Sequence, residues 1–241
     1  MNALVAQTRT EIMLTLRRGE SLLLILGIPL VLLGFFSSVD VLPKGNFTDS
    51  VDFLTPGVLA LAVMSTGMVQ LAIGTSFERQ YGVLKRLGTT PLGRPRLLAA
   101  KTTSIIAVEI VQIALLVALA LALGWDPSVR VGAVAAVVLG TIAFSGLGLL
   151  MAGTLRGEVT LAAANGLYLV LLLVGGMIVP LSELPSALRF VAELLPSGAL
   201  VQALVGTLSS GHGGVPGKAW IVLGVWAVAA PLAAARFFRW E

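Results

Sequence analysis

Long apolar runs separated by short polar segments dominate the pattern of this chain. Six runs approach the roughly 20 residues that a helix needs to cross a hydrocarbon core of roughly 30 Å. They are residues 21–39, 55–76, 102–124, 131–155, 160–181 and 218–237. Glu109 is the one charged residue in the interior of any run. Because backbone polar groups in lipid must be satisfied within the segment, the runs predict an all-α integral membrane protein with six transmembrane helices.

Composition agrees with this class and excludes others. The 241 residues are 57% hydrophobic and only 12% charged, with a mean hydropathy of +0.98. The chain has no cysteine and one histidine, His212, so we expect neither a metal site nor a cysteine nucleophile. The net charge of +4 does not indicate nucleic acid, because the basic residues flank the apolar runs without interleaved aromatics. The expected partner of these charges is the lipid bilayer.

The distribution of Lys and Arg predicts the orientation. With the N-terminus inside, 12 of the 16 basic residues fall in cytoplasmic segments. Basic residues beside spans resist translocation, so both ends of the chain are predicted to be cytoplasmic. The Ala, Leu, Gly and Val bias is typical of a bacterial protein. We therefore expect a multi-pass protein of a bacterial plasma membrane.

Two of the polar connections are predicted to contain helices at the membrane surface. Residues 2–18 form a weakly amphipathic pattern, with Val5, Ile12 and Leu16 on one face, which predicts an interfacial elbow helix. An unstructured cytoplasmic tail is the alternative. Residues 182–209 carry two apolar stripes at helical spacing, divided at Pro196. They predict two short external helices that re-enter the membrane or cover the bundle, with a simple loop as the alternative.

The longest cytoplasmic connection, residues 77–101, holds six basic residues and one acid. Its first part has no proline and can continue the second span as a helix, until a group of turn-forming residues breaks it: Gly88, Pro91, Gly93 and Pro95. The pattern predicts a short helix across the membrane face that exposes apolar side chains: Tyr81, Val83, Leu84 and Leu87. Exposed apolar surface indicates a partner. The alternative is a loop that only sets the topology.

Together these segments resemble the membrane permeases of type-2 ABC exporters, over essentially the whole chain. The first matching motif follows the second span: Glu78, Arg79, Gly82, Leu84, Leu87, Thr90, Pro91 and Lys101. The second lies near the external helices: Gly176, Pro180, Leu184, Pro185 and Pro196. Val83 departs from the pattern, because drug-exporter relatives usually carry Thr there.

The resemblance implies that ATP is hydrolysed elsewhere. The chain has no G-x-x-x-x-G-K-[ST] loop, so it is not expected to be an enzyme or to bind a cofactor. A separate ATPase subunit, with its ATP and Mg²⁺, would dock on residues 77–101 and drive alternating access. The implied coupling residues are Glu78, Arg79, Tyr81, Gly82, Leu84, Lys85, Leu87, Thr90 and Pro91. A second permease chain, identical or related, is also implied, with a drug-like or lipid-like substrate and a role in multidrug efflux or antibiotic resistance.

Three polar residues lie at similar predicted depth in the spans: Gln70, Glu109 and Asn165. We expect them to form a polar belt along the substrate pathway, since a carboxylate in the membrane is costly unless it faces water or a partner. The alternative is a structural Glu109 hydrogen-bonded to Gln112 or Gln70. A different class of function is a secondary transporter or channel subunit that uses Glu109 as a proton relay. Two observations count against that class. The sequence shows no internal repeats, and a secondary transporter would leave residues 77–101 without a role.

Overall fold

The computed structural model describes residues 13, 19–39, 47, 49–88, 94–127, 131–209 and 214–239. Throughout these ranges, every regular element is a helix. The α-helices are α1 (Gly19–Ser38), α2 (Ser50–Met64), α3 (Leu71–Gln80), α4 (Val83–Gly88), α5 (Arg94–Ala122), α6 (Val131–Thr154), α7 (Gly157–Val174), α8 (Ser186–Leu194), α9 (Pro196–Leu208) and α10 (Gly217–Phe237). The predicted elbow helix lies outside the described residues, apart from Met13.

Among the described residues, five helices are long and apolar enough to cross a membrane. They are Ser50–Gln80, Ala100–Ala122, Val131–Thr154, Gly157–Val174 and Gly217–Phe237. The bent pair α8 and α9 is a sixth candidate if it is taken as one span, and Ile25–Ser38 of α1 is a shorter apolar helix. The chain is therefore an all-helical, multi-pass membrane protein. The side of the membrane that each end faces stays a prediction.

The second span begins at Ser50, earlier than the predicted residue 55, and continues as a helix to Gln80, beyond the predicted end of the apolar run at residue 76. Helices α2 and α3 join through a π-helix, Ser65–Gln70, into one rod of 31 residues, Ser50–Gln80. At roughly 1.5 Å per residue the rod is about 45 Å long, which exceeds a hydrocarbon core of roughly 30 Å. Almost every residue of α2 is buried by its neighbours, α1, α5, α6 and α9. The second span is therefore the central rod of the bundle, and one of its ends projects beyond the core.

The fifth span is shorter than predicted and ends at Val174 instead of residue 181. The amide of Gly175 donates to the Leu171 carbonyl at 2.7 Å, and Gly176 has a left-handed φ of 76°. A Cβ on Gly175 would lie 2.6 Å from Ser197 Oγ, so the chain turns here against the start of α9. The glycine pair ends the helix because only glycine adopts this turn without strain.

The predicted pair of external helices is present as α8 and α9, which meet at 88°. Helix α9 lies between α2, α6 and α10, and nearly all its residues are buried. Helix α8 stays on the surface and exposes apolar residues of its predicted stripe, Leu188 and Val191. The indole Nε1 of Trp226 donates to the Leu194 carbonyl at 3.0 Å and ties the end of α8 to α10. Burial of α9 inside the bundle makes it part of the core.

Helix α6 makes its closest contacts through glycine. A Cβ on Gly146 would lie 2.5 Å from the backbone nitrogen of Pro231 in α10, and one on Gly148 would lie 2.8 Å from the Met68 carbonyl in the π-helix. In lipid, helices associate through close packing because the hydrophobic effect between them is weak. The small residues of α6 therefore fix its position between α10 and the second span.

Replacement of Gly146 by Ala should destabilise the bundle, because the added methyl group meets backbone atoms that cannot move aside independently. Overpacking of this kind costs about 1–3 kcal/mol. The matched control is Gly224→Ala in α10, where the added Cβ meets no described atom within 4 Å beyond the backbone of its own helix, and helix propensity favours Ala. Thermal unfolding in detergent micelles should give a lower midpoint for Gly146→Ala and an equal or higher one for Gly224→Ala. Equal midpoints for Gly146→Ala and the wild type would contradict the close crossing.

Candidate functional site

The segment that was predicted to couple to a partner contains a sharp turn and a short helix. Helix α3 ends at Gln80, the chain turns at Tyr81 and Gly82, and α4 follows. Gly82 has a φ of 72°, in the left-handed region that favours glycine. The helix break therefore comes at Gly82, earlier than the Gly88 expected from the sequence. Helix α5 begins at Arg94, with Pro95 in its first turn.

The apolar residues of this segment divide into two groups. Tyr81 is 70% exposed, its ring stacks on Phe77 with centroids 6.1 Å apart, and Val83 is 38% exposed. Leu84 is fully buried at 0% exposure, so the expectation that it presents apolar surface was wrong. It anchors α4 to the bundle because, one residue beyond Val83, it points about 100° away from Val83 around the helix. Lys85 is exposed, whereas Leu87 (its side chain), Thr90 and Pro91 lie outside the described residues.

Glu78 pairs with Lys101 of α5. Lys101 is only 4% exposed. The Glu78 side chain is 19% exposed, so the buried partner is Lys101, and loss of Glu78 would leave the Lys101 charge uncompensated, which is destabilising. The pair therefore fixes the end of α3 against α5.

Arg79 binds the opposite side of the bundle. Its Nη1 donates to the carbonyls of Gly153 at 2.5 Å and Arg239 at 3.3 Å, and its Nη2 donates to the Leu155 carbonyl at 2.5 Å. Gly153 and Leu155 belong to the C-terminal end of α6, where carbonyl groups lack donors within the helix. A cation at this end also interacts favourably with the helix dipole. Arg79 therefore caps α6 from a different span.

Gln80 completes these contacts at α7. Its Oε1 accepts a hydrogen bond of 3.1 Å from the amide of Gly157, the first residue of α7. A Cβ on Gly157 would lie 2.2 Å from that oxygen, so the contact requires glycine. We call Glu78, Arg79, Gln80 and Lys101, with the backbone groups that they bind, the helix-end cluster. The sequence motif predicted that Glu78 and Arg79 contact a partner protein, and it did not predict a role for Gln80.

A layer of buried polar side chains crosses the middle of the bundle. The Thr141 hydroxyl donates to Glu109 Oε1 at 2.5 Å and joins α6 to α5. The Thr66 hydroxyl of the π-helix donates to Gln112 Oε1 at 2.7 Å, and Gln112 Nε2 donates to the Ile25 carbonyl of α1 at 2.8 Å. We call these residues the polar layer. Hydrogen bonds across helices compensate polar groups where water is excluded.

Three oxygen atoms near this level are buried and have no hydrogen-bond partner among the described residues: Gln70 Oε1, Glu109 Oε2 and Ser145 Oγ. Glu109 itself is 2% exposed. Its observed partner is Thr141, in place of the Gln112 or Gln70 considered from the sequence. The π-helix carries both Thr66 and Gln70, and such helices occur frequently at functional sites.

Asn165 lies apart from the polar layer. It is on the exposed face of α7, and its Nδ2 donates to the Leu161 carbonyl of its own helix at 2.8 Å. Within one chain the structure therefore assembles Glu109 with Thr141, but it does not bring Asn165 to them. Sequence spacing gave the depth of these residues and could not give the face that each presents.

A cavity of about 250 Å³ opens at the other end of the bundle, between the start of α2 and the buried helix α9. Its lining is mostly apolar and includes Phe53, Leu181, Val201 and Val205, with the amide of Gln202 as a polar group. An apolar pocket with few polar groups fits an apolar or amphipathic ligand. The sequence did not predict this cavity.

A model of the ABC-2 type transporter family matches residues 2–208. The match covers the helix-end cluster, the π-helix, the polar layer, α8 and α9. No curated protein matched the chain. The chain belongs to the ABC-2 type transporter family and is the transmembrane subunit of an ABC transporter. This family is a transport domain that is not itself catalytic and typically works with an ATPase subunit.

The hydrogen bond between Thr66 and Gln112 should appear as a coupling energy between their substitutions. We expect Thr66→Val and Gln112→Leu to be non-additive by about 0.6 to 1.7 kcal/mol, the range found for hydrogen bonds between membrane helices. The measurement is a double-mutant cycle of unfolding free energies in detergent. The control pairs Thr66→Val with Thr207→Val, whose hydroxyl bonds within α9. Additivity in both cycles would contradict a bond that joins the π-helix to α5.

Proposed function

We propose that this chain is the membrane subunit of an ATP-driven exporter in a bacterial plasma membrane. Its substrate is hydrophobic or amphipathic, drug-like or lipid-like, and its physiological role lies in efflux and resistance to such compounds. Membership of the ABC-2 family and the lack of a phosphate-binding loop support an ATPase on a separate subunit, which holds the ATP and Mg²⁺.

The docking surface for this ATPase is the exposed side of the turn and α4: Tyr81, Gly82, Val83 and Lys85. Tyr81 carries the proposal. A tyrosine that is 70% exposed is held in place by its stack on Phe77, next to a helix that Leu84 anchors from beneath. Rigid exposed tyrosines are frequent hot spots of protein interfaces. Leu87, Thr90 and Pro91 extend this surface in the proposal.

The second permease chain covers the exposed face of α7. Asn165 lies on that face with Ala162 and Gly166, and, among the described residues, a Cβ built on Gly166 has no atom within 4 Å beyond the backbone of its own helix. A polar amide that faces lipid is unfavourable, and small residues beside it allow a second helix to approach closely. The face fits an identical or a related chain.

The substrate pathway runs between these two chains, from a polar belt to the outer cavity. Gln70 and Glu109 contribute from the polar layer, and Asn165 contributes from the surface that the second chain covers. Unpaired buried oxygens on Gln70 and Glu109 support this role, because such atoms are costly unless a ligand or a moving helix satisfies them. Closure of the two ATPases then opens the pathway alternately to each side.

The second candidate function is a proton-coupled transporter. The buried carboxyl of Glu109, with one oxygen bound to Thr141 and the other unpaired, is the observation that favours it. Carboxylates within membrane spans frequently relay protons. This candidate gives no role to the exposed surface around Tyr81.

Replacement of Tyr81 by Asp should release the ATPase. Loss of an interface hot spot costs about 2 kcal/mol or more, which weakens binding roughly 30-fold. The measurement is the ATP hydrolysis that copurifies with the affinity-tagged chain from cells that express its ATPase. The control is Arg156→Asp, which changes the charge of an exposed residue between α6 and α7. Equal copurified activity in Tyr81→Asp and Arg156→Asp would contradict the proposed docking surface.

A further inference from the structure

We infer that Arg79 is a positioning residue that makes α4 move as one body with the ends of α6 and α7, and that it does not contact the ATPase. This inference rests on the proposed function, because the movement that it transmits is the one that the ATPase imposes on α4. It reassigns Arg79, which the sequence motif placed at the docking surface.

Three consecutive residues in the last turn of α3 each bind a different part of the bundle. Glu78 pairs with Lys101 of α5, Arg79 binds the carbonyls at the end of α6, and Gln80 accepts from the first amide of α7. Consecutive positions on a helix point about 100° apart, so one turn can reach three neighbours. The end of α3 is therefore joined to three other spans at the same level.

Arg79 also holds the segment that follows α10. Its Nη1 reaches the Arg239 carbonyl at 3.3 Å, while the Arg239 amide donates to the Gly153 carbonyl at 3.0 Å. A Cβ on Gly153 would lie 2.4 Å from the Phe238 ring, so the two segments touch directly. The planar guanidinium has five donors in a fixed fork and can bind all three carbonyls at once, which an ammonium group cannot do equally well.

The link from Arg79 to the docking surface is short. Only Gln80 lies between it and Tyr81, the turn at Gly82 has a defined left-handed φ of 72°, and Leu84 is fully buried at 0% exposure. Force on α4 therefore passes to the last turn of α3. Because the Arg79 guanidinium already binds the bundle, contact with an ATPase would require it to give up the bonds that hold α6.

The first test uses the full chain in lipid nanodiscs. The chain contains no cysteine, so nitroxide labels on Cys substitutions at exposed Val83 and Glu158 report the distance from α4 to the start of α7. We expect one narrow distance peak for the otherwise unchanged chain, loss of that peak in Arg79→Gln, and partial recovery in Arg79→Lys, which keeps a donor and the charge. The control, Arg156→Gln, removes an exposed arginine nearby and should keep the peak. An unchanged peak in Arg79→Gln overturns the inference.

The second test uses the complex with the copurified ATPase. In this test the label on α4 is placed at exposed Arg86, because Val83 belongs to the docking surface. Addition of ATP should leave the Arg86 to Glu158 distance unchanged when Arg79 is present, since α4 and the helix ends move together. In Arg79→Gln the same ATP should change the broadened distribution of distances, while the bound ATPase activity stays equal to that of the chain with Arg79. An ATP-dependent shift with Arg79 present, or loss of the ATPase from Arg79→Gln, overturns the inference. If no ATPase copurifies with the unlabelled chain, the proposed function fails, and the nanodisc measurement still decides the role of Arg79.

Discussion

The carbonyl groups at the end of α6 need hydrogen-bond donors, and Arg79 supplies them from another span. Without that arginine, the Leu155 carbonyl would lose its donor and the Gly153 carbonyl would keep only the Arg239 amide, at the point where α6, α7 and the segment after α10 meet. Unsatisfied polar groups cost most where water is excluded. The hydrogen bonds from Arg79 to these carbonyls therefore hold the end of α3 in place, and the positions of the turn at Gly82 and of α4 depend on them.

The rest of the bundle combines close backbone packing with a few buried polar bonds. Gly146 and Gly148 bring α6 against α10 and the π-helix, and the polar layer joins α1, the π-helix, α5 and α6 at another level. Close packing and buried hydrogen bonds are both effective between helices in lipid, where they contribute more specificity than apolar burial does. The second span, Ser50–Gln80, is therefore held both at the helix-end cluster and at the polar layer. A helix held at two levels in this way is well suited to transmit movement along its length.

Much of the fold could be predicted from the sequence, because membrane spans follow from the length and hydropathy of apolar runs. The helix pair α8 and α9 could be predicted from apolar spacing and from Pro196. The end of the fifth span was misplaced because glycines are tolerated within membrane spans, so Gly175 and Gly176 gave no signal that the helix stops there. The contacts of the candidate site were harder to predict than the spans. Leu84 and Tyr81 have similar sequence surroundings, and only the turn at Gly82 decides which of them faces the bundle. The partners of Arg79 lie more than 70 residues away, so spacing along the chain carried no signal for them.

The most direct test is to measure which energy source drives uptake into inverted membrane vesicles. The vesicles contain the chain with or without its ATPase, and the probe is a fluorescent amphipathic cation. The account predicts uptake that needs both the ATPase and ATP and that persists when the proton gradient is collapsed. Uptake driven by an imposed proton gradient in vesicles that lack the ATPase would contradict it and would favour Glu109 as a proton relay.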